Sequence, residues 1–444
     1  MARASVLSNM LWMLSSNLLN NGVNFLVFVV TARYVGASDF GSLSYVFAIA
    51  SLFSMLGQMG LDGLLSRELL EEPTEERPVI LGTAWLLRFF GYLLGALLAI
   101  GYGLAMPSHT ALERELFLIA SLFVFSNVFN SIPENWLKTM HEARSASKAR
   151  IMGSVTGGIL KIGAVMLGGG VVAISLFHLL GLLLISAGMY LFYRRKGGPA
   201  PRLWRFSGAR ARALLGESWR VFASAILWVI YLRIDVMILR QLTDAETVGT
   251  YAIATRLAEM SYVLPSALIV ASFPSIMAAK QQSAADYHAR TRDLLQILSF
   301  SGITVMLVIW VFALVALVPL FGAQYAASVP IVMIYMLSTP FMFLHYAVAR
   351  WILIERQTLF GMIADIIGVL LNIVLNLVLI PRLGAQGAAI ATIISYSWVS
   401  CFSLLATSKT RKLFQFVAIS LVTPWRAAPM VARRLRGALA RRSG

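Results

Sequence analysis

Arg233 and Asp235 stand two residues apart in the stretch YLRIDVMILR (231–240), inside an apolar run that begins near Trp219. At the centre of a membrane helix each costs roughly 2.5–3.5 kcal/mol. Side chains that carry such a cost face a bundle interior or a water-filled cavity, where they pair with one another or meet a charged ligand. Six basic residues fall within apolar runs: Arg88, Lys161, Arg220, Arg233, Arg256 and Arg350. Their acidic companions are Asp62, Glu217, Asp235, Glu259 and Asp365. A chain turn near 244–245 sets Asp235 level with Arg256, and Arg233 level with Glu259. A turn near 357 does the same for Arg350 and Asp365, a candidate structural charge pair. Two readings stay open. The charges neutralise one another and fix helix register, or some of the guanidinium groups grip phosphate oxygens in a bidentate fork.

Arg88 and Lys161 sit mid-span with no acid at the matching level of the adjacent hairpin, so uncompensated positive charge is expected there. Arg33 and Arg67 cap the first two spans, where an interfacial side chain can also snorkel toward headgroups. His178 and His345 read as packed core histidines rather than proton carriers. Asn372 and Asn376 lie four apart on one helical face, and Thr392 comes level with Asn376 across the turn at Gly384. Amide and hydroxyl oxygens so placed can bind Na⁺ with a carboxylate such as Asp235, or can simply join two helices by hydrogen bonds.

The elements that position these residues are membrane helices. The chain has 444 residues, 59% hydrophobic and 13% charged, against about 25% charged in an ordinary soluble domain. Twelve apolar runs of spanning length occur, near 7–30, 42–65, 79–103, 114–136, 151–168, 171–193, 217–240, 248–275, 294–318, 327–353, 359–380 and 387–408. The first is read as a retained helix, not a cleaved leader. The one cysteine, Cys401, excludes disulfides and Cys-based metal sites. The net charge of +17 is explained by topology rather than nucleic acid. With the N-terminus inside, basic residues gather on the cytoplasmic face, in YRRKGG (193–198) and the tail ARRLRGALARRSG; the other face keeps about four, Arg33, Arg114, Arg240 and Arg382. Anionic lipids are expected partners of the basic face. The segment LFQFVAISLV (413–422) is too short to span and is expected along the interface. All loops are short, which excludes enzymes that need a membrane-external catalytic domain.

A basic link at 194–216 divides six spans (1–193) from six (217–410), followed by a basic tail (411–444). The turn RYVGASDFGSLSYVFAIA (33–50) matches QLTDAETVGTYAIATRLA (241–258) at an offset of 208 residues. An even-span repeat implies parallel halves around a central cavity. The fold class expected is all-α and polytopic, two pseudo-symmetric six-helix bundles.

The stretches ARYVGASDFGSLSYVFAI, VGTYAIATRLAE, FGAQYAASVPIVMIYMLSTPFMF and NIVLNLVLIPRLGAQGAAIATIISY resemble the polysaccharide-transport branch of the MOP flippase superfamily, which includes Wzx-type O-antigen flippases. The resemblance covers nearly the whole chain and implies a V-shaped bundle and a non-enzymatic role. It implies translocation of an undecaprenyl-pyrophosphate-linked oligosaccharide, an O-antigen or exopolysaccharide unit, across the bacterial inner membrane. Both termini would be cytoplasmic, no cofactor is needed beyond Na⁺ or H⁺ as a coupling ion, and the protein is expected to act as a monomer beside polymerase or assembly proteins. By the same resemblance Arg33, Arg67 and Arg256 match portal arginines of lipid II flippases, and Arg88, Lys161, Arg233 and Arg350 join them as cavity candidates. The sodium site of some lipid II flippases maps onto Asp235, Asn372, Asn376, the Ala388 carbonyl and Thr392, although Asn376 stands where that pattern has an acid. Proton coupling through Asp235 or Glu259 is the other option. Rivals are a multidrug-type exporter, whose pore should be acidic or aromatic, a lipid II-type flippase, a membrane polymerase and a non-transporting scaffold.

Overall fold

A computed structural model describes residues 2–427 and Pro429, with side chains from Asn20 onward. The tail ARRLRGALARRSG lies outside the described residues. Every regular element described is helical. By contact the chain divides into two compact units, residues 1–241 and 242–444.

The first unit opens with α1 (Ala2–Gln58), which is broken at Gly36, where φ is 82° and ψ 168°. The break reverses the chain. The rings of Phe28 and Phe40 stand 5.3 Å apart, whereas an unbroken helix would separate them by about 18 Å. Only glycine takes that backbone conformation without strain. The unit continues with α2 (Asp62–Glu71), α3 (Arg77–Ala105), α4 (Ala111–Thr139), α5 (Ala143–Met166), α6 (Val171–Arg195) and α7 (Gly208–Leu242). The link between α6 and α7 lies across α3: the Arg205 amide donates to the Pro78 carbonyl at 3.2 Å, and the Ser207 amide to Thr83 Oγ1 at 3.0 Å.

The second unit holds α8 (Ala245–Ser261), α9 (Val263–Gln282), α10 (Ala284–Phe312), α11 (Val318–Phe321), α12 (Ser328–Met336), α13 (Thr339–Ile354), α14 (Thr358–Leu383), α15 (Ala385–Ser400) and α16 (Ser408–Val422). Asp244, Ser283 and Thr407 cap the starts of α8, α10 and α16 through side-chain oxygens that accept backbone amides. Leu413 and Val417 of α16 are buried in an apolar cluster with Leu295, Phe343 and Leu404, so this helix docks on the unit through one face.

Among the described residues, eleven helical stretches are long and apolar enough to cross a membrane. The first, Asn20–Glu71, runs 52 residues through the Gly36 reversal and is long enough for two crossings, which agrees with the twelve apolar runs. The units divide after Gln241, so α7 packs with the first unit although the repeat groups it with the second half. Compactness and internal repeat are different properties, and the six-and-six division is carried forward as a proposal.

Between α1 and α2 the chain passes through Met59 and Gly60, with φ of 50° and 65°. A Cβ on Gly60 would lie 2.8 Å from the Phe222 amide nitrogen of α7, so the two backbones touch. Gly60→Ala therefore combines left-handed strain of about 1–2 kcal/mol with a backbone clash. We expect it to lower the thermal unfolding midpoint in detergent by several degrees; an unchanged midpoint would show that α7 yields freely at this point.

Candidate functional site: charges within and beside the spans

In the first unit the break at Gly60 places Asp62 at the start of α2, facing α3. Arg88 Nη2 donates to Asp62 Oδ1 at 2.6 Å and Nη1 to the Ser131 carbonyl at 3.1 Å, while Asn135 Nδ2 donates to the Asp62 carbonyl at 3.0 Å. Arg88 is 2% exposed and the Asp62 side chain 69% exposed. The expectation of an uncompensated Arg88 is thereby corrected. The acid comes from a helix start that the apolar pattern merged into one continuous span.

Lys161 keeps its mid-span position on α5 but also has a neighbour. Its ammonium donates to His178 Nδ1 of α6 at 3.3 Å, which leaves the ring proton of a neutral imidazole on Nε2. The His178 ring rests between Phe47 and Phe123, with centroids 5.1 and 5.5 Å away, the packed setting expected for it. Glu134, omitted from the sequence-based inventory, is gripped within the same unit by Lys138 at 2.7 Å and by Arg150. Below it, at the turn between α4 and α5, Lys196 donates to Glu142 at 2.9 Å and holds that carboxyl below its usual range. Stability from this contact is complete above the unfolded value near about 4.3 and is lost as pH falls through the lower folded value. Glu142→Gln should flatten the acid limb of the stability–pH curve measured by thermal unfolding.

Two polar clasps hold α7. At the end nearer the link, Arg67 Nη1 and Nη2 donate to Glu217 Oε1 and Oε2, each at 2.7 Å, and Arg210 reaches Glu68 at 3.2 Å and Glu76 at 3.4 Å. At the far end Arg240 Nε and Nη2 donate to Glu113 Oε1 and Oε2 at 2.7 and 2.9 Å. Glu113 has no exposed surface and also forms a capping box with Thr110, its Oε2 accepting the Thr110 amide at 2.9 Å. Gln241 donates to the Tyr45 hydroxyl at 3.2 Å. That hydroxyl lies 3.0 Å from His109 Nε2, and His109 Nδ1 lies 3.0 Å from the Gly103 carbonyl, so Nδ1 carries the proton and Nε2 accepts. Glu217 and Arg240 are 23 positions apart, about 35 Å along a helix, enough to cross a hydrocarbon core of about 30 Å. One clasp thus stands at each end of a spanning helix.

Sequence reading placed Arg67 at the cap of the second span and Glu217 within a span, without pairing them. It missed Glu113, Arg210, Tyr45 and His109. The pattern Thr110-x-x-Glu113 was the available signal. Arg33 is exposed just before the Gly36 reversal. On α7, Arg233 is half-buried and Asp235 is 3% exposed, with Asp235 Oδ1 accepting the Val236 amide at 2.8 Å.

In the second unit Arg256 lies 4.0 Å from Glu259 on its own helix. Arg350 and Asp365 form no ion pair: Arg350 is exposed on α13 and Asp365 half-buried on α14. Equal height across a hairpin does not fix the direction each side chain takes, and here it brings no pairing. The α14–α15 contact buries a polar group. Asn376 Nδ2 donates to Asn372 Oδ1 at 2.9 Å, Asn372 Nδ2 to Ser395 Oγ at 3.2 Å, and Thr392 Oγ1 to the Ala388 carbonyl at 3.0 Å. All four of these polar side chains are 3% exposed or less. Of the oxygens expected to bind Na⁺, Asn372 Oδ1 and the Ala388 carbonyl therefore already accept a hydrogen bond from within their own helix, while the bond to Ser395 joins α14 to α15. Asn376 Oδ1 is the exception, buried without a donor, and could accept from a cation or a protonated group. Ser395 was not anticipated. No cluster of three or more His, Cys, Asp or Glu side chains suited to a metal occurs among the described residues.

A family profile described as "Polysaccharide biosynthesis protein" matches residues 6–280, more than half of the chain. The chain belongs to this polysaccharide biosynthesis protein family. No curated relative was found by sequence comparison. Among solved structures, the lipid II flippase MurJ in an inward closed conformation aligns with a TM-score of 0.71 at 16% identity, covering 94% of this chain and 92% of that one. An inward-facing multidrug-resistance MATE transporter of the MOP superfamily gives 0.66 at 17% identity over 88% and 95%. A MOP superfamily transporter from Pyrococcus furiosus, described by the reverse polarity of its binding pocket, gives 0.60 at 16% over 92% and 96%. At these identities the likeness establishes the MOP-type fold. With the eleven helical stretches of spanning length among the described residues, it marks this chain as a multi-pass membrane protein of that family.

Proposed function

We propose that the protein flips an undecaprenyl-pyrophosphate-linked oligosaccharide from the cytoplasmic to the outer leaflet of a bacterial inner membrane. The observation that carries this reading is the paired clasps on α7, one at each end of a spanning helix, in a family tied to polysaccharide synthesis. Alternating access needs one surface to open while the other stays shut. In the proposed cycle the cytoplasmic clasp parts first, and the Arg67 fork exchanges the Glu217 carboxylate for pyrophosphate oxygens. The anion then passes to basic groups deeper in the spans, with Arg33, Lys161, Arg233, Arg256 and Arg350 as candidates, while the polyprenyl tail stays in lipid. Arg88, bound by Asp62 and Ser131, is better suited to holding α2 against α3 than to gripping cargo.

Coupling to Na⁺ or H⁺ is proposed through Asp235 on α7, with Asn372, Asn376, Ala388 and Thr392 as the candidate sodium ligands and Glu259 as an alternative proton carrier. Asp235→Asn should reduce flipping of a fluorescent lipid-linked oligosaccharide in proteoliposomes by tenfold or more while expression persists. A fully active variant removes Asp235 from the cycle. The reading as an exporter of small molecules is favoured by the MATE likeness, and that as a lipid II-type flippase by the MurJ likeness. The same vesicles, offered lipophilic cations or lipid II in place of the oligosaccharide, separate the three.

A further inference from the structure

The second unit carries a basic pocket that none of the transport steps uses. Three chain turns meet there: between α9 and α10, between α13 and α14, and at the start of α16. Two membrane crossings separate each turn from the next, so all three emerge at one surface. The cavity is about 420 Å³. Its apolar wall is Tyr287, Trp351 and Phe416, aromatic side chains of the kind that settle where a helix leaves the hydrocarbon. His288 stands against Phe416, with ring centroids 6.0 Å apart.

The charges around this wall do not balance. Lys280 is satisfied: its ammonium donates to Glu355 at 2.8 Å and to the Ile354 carbonyl at 2.9 Å, and lies 5.5 Å from the centre of the Tyr287 ring. Lys409 and Lys412 also line the pocket, three residues apart on one face of α16. Both are exposed, and neither has an ion pair or hydrogen bond among the described residues. Tyr287 is 5% exposed, and its hydroxyl is buried beside Glu355, so this side chain contributes its ring to the wall and not a donor to the space. Two unpaired ammonium groups converge on a concave, aromatic-backed space at the edge of the apolar zone.

We propose that this pocket binds the phosphate of an anionic lipid headgroup. Lys409 and Lys412 donate to the phosphate oxygens, and the acyl chains leave past the aromatic wall into the bilayer. The chemistry recognised is a phosphate anion, and its attachment to an apolar tail is what distinguishes a lipid from a soluble ion. The site does not depend on which molecule the protein carries.

The test is native mass spectrometry of the purified full chain, titrated separately with phosphatidylglycerol, phosphatidylcholine and inorganic phosphate. We expect phosphatidylglycerol to be retained in preference to phosphatidylcholine. The double variant K409Q/K412Q should weaken that retention by roughly thirtyfold, since each basic residue near a membrane surface contributes a factor of about five. K409R/K412R should keep it, which separates lost charge from lost folding. R194Q/R195Q, which removes two charges outside the pocket, should also keep it. Equal loss in R194Q/R195Q, or unchanged retention in K409Q/K412Q, overturns the site. Binding of inorganic phosphate with the same dependence on the two lysines overturns the lipid assignment and gives the pocket to a soluble phosphate.

Discussion

Arg240→Leu should destabilise the protein by about 3–5 kcal/mol, because it strands a carboxylate that has no exposed surface. Glu113 accepts from Arg240 at 2.7 and 2.9 Å, and its remaining contacts, the Thr110 amide and the Ser42 hydroxyl, are neutral. Without the guanidinium, Glu113 must take up a proton or draw water into the end of the bundle. Thermal unfolding in detergent should show the largest loss of any single charge removal in the first unit. Glu113→Gln with Arg240→Gln should recover much of it, since a neutral amide pair leaves no isolated charge. Arg88→Leu is the informative contrast. It removes a side chain that is more buried than Arg240, but it leaves behind Asp62, which is 69% exposed and keeps its hydration. Its cost should be the smaller of the two. Equal costs would show that exposure of the orphaned partner is not what decides them.

Arg67→Ala should lower flipping more than tenfold with little change in stability, whereas Glu217→Gln should leave transport intact or faster. Both side chains of this clasp are about half exposed, at 45% and 52%, and exposed pairs contribute little to folding. The asymmetry follows from the proposed exchange of partners. Arg67 is needed twice, to hold the closed clasp and to receive pyrophosphate; Glu217 is needed once and competes with the cargo. The measurement is initial flipping rate in proteoliposomes, with unfolding midpoints as the control. Equal losses in the two variants would reduce the pair to a mechanical latch.

The helical architecture was legible because each apolar run is long enough to cross a bilayer and is bounded by glycine, proline or charge. Even the reversal near Gly36 follows from the length of the first stretch. Side-chain partners were much less legible. Hairpin arithmetic gives the height of a residue in the membrane, which brought Arg350 level with Asp365, but it gives no azimuth, and the two side chains do not pair. Asp62 escaped for another reason. The second apolar run reads as continuous from 42 to 65, yet Met59 and Gly60 turn the chain within it and present that carboxylate to Arg88. The asparagine pair on α14 was read correctly as one face, while its partner Ser395 was invisible because a serine in an apolar run carries no distinguishing pattern.

The contact between Gly60 and Phe222 divides α7 unequally. Glu217 lies five positions to one side of it and Arg240 eighteen to the other, arms of about 7 and 27 Å. A helix pivoting at that point is a lever of the first kind with unequal arms: a shift of about 1 Å at the short arm swings the long arm the opposite way by nearly 4 Å. A modest separation beside Arg67 is thus geared up at the opposite end of the same rod, where it drives Arg240 harder into Glu113 or pulls it clear, depending on direction.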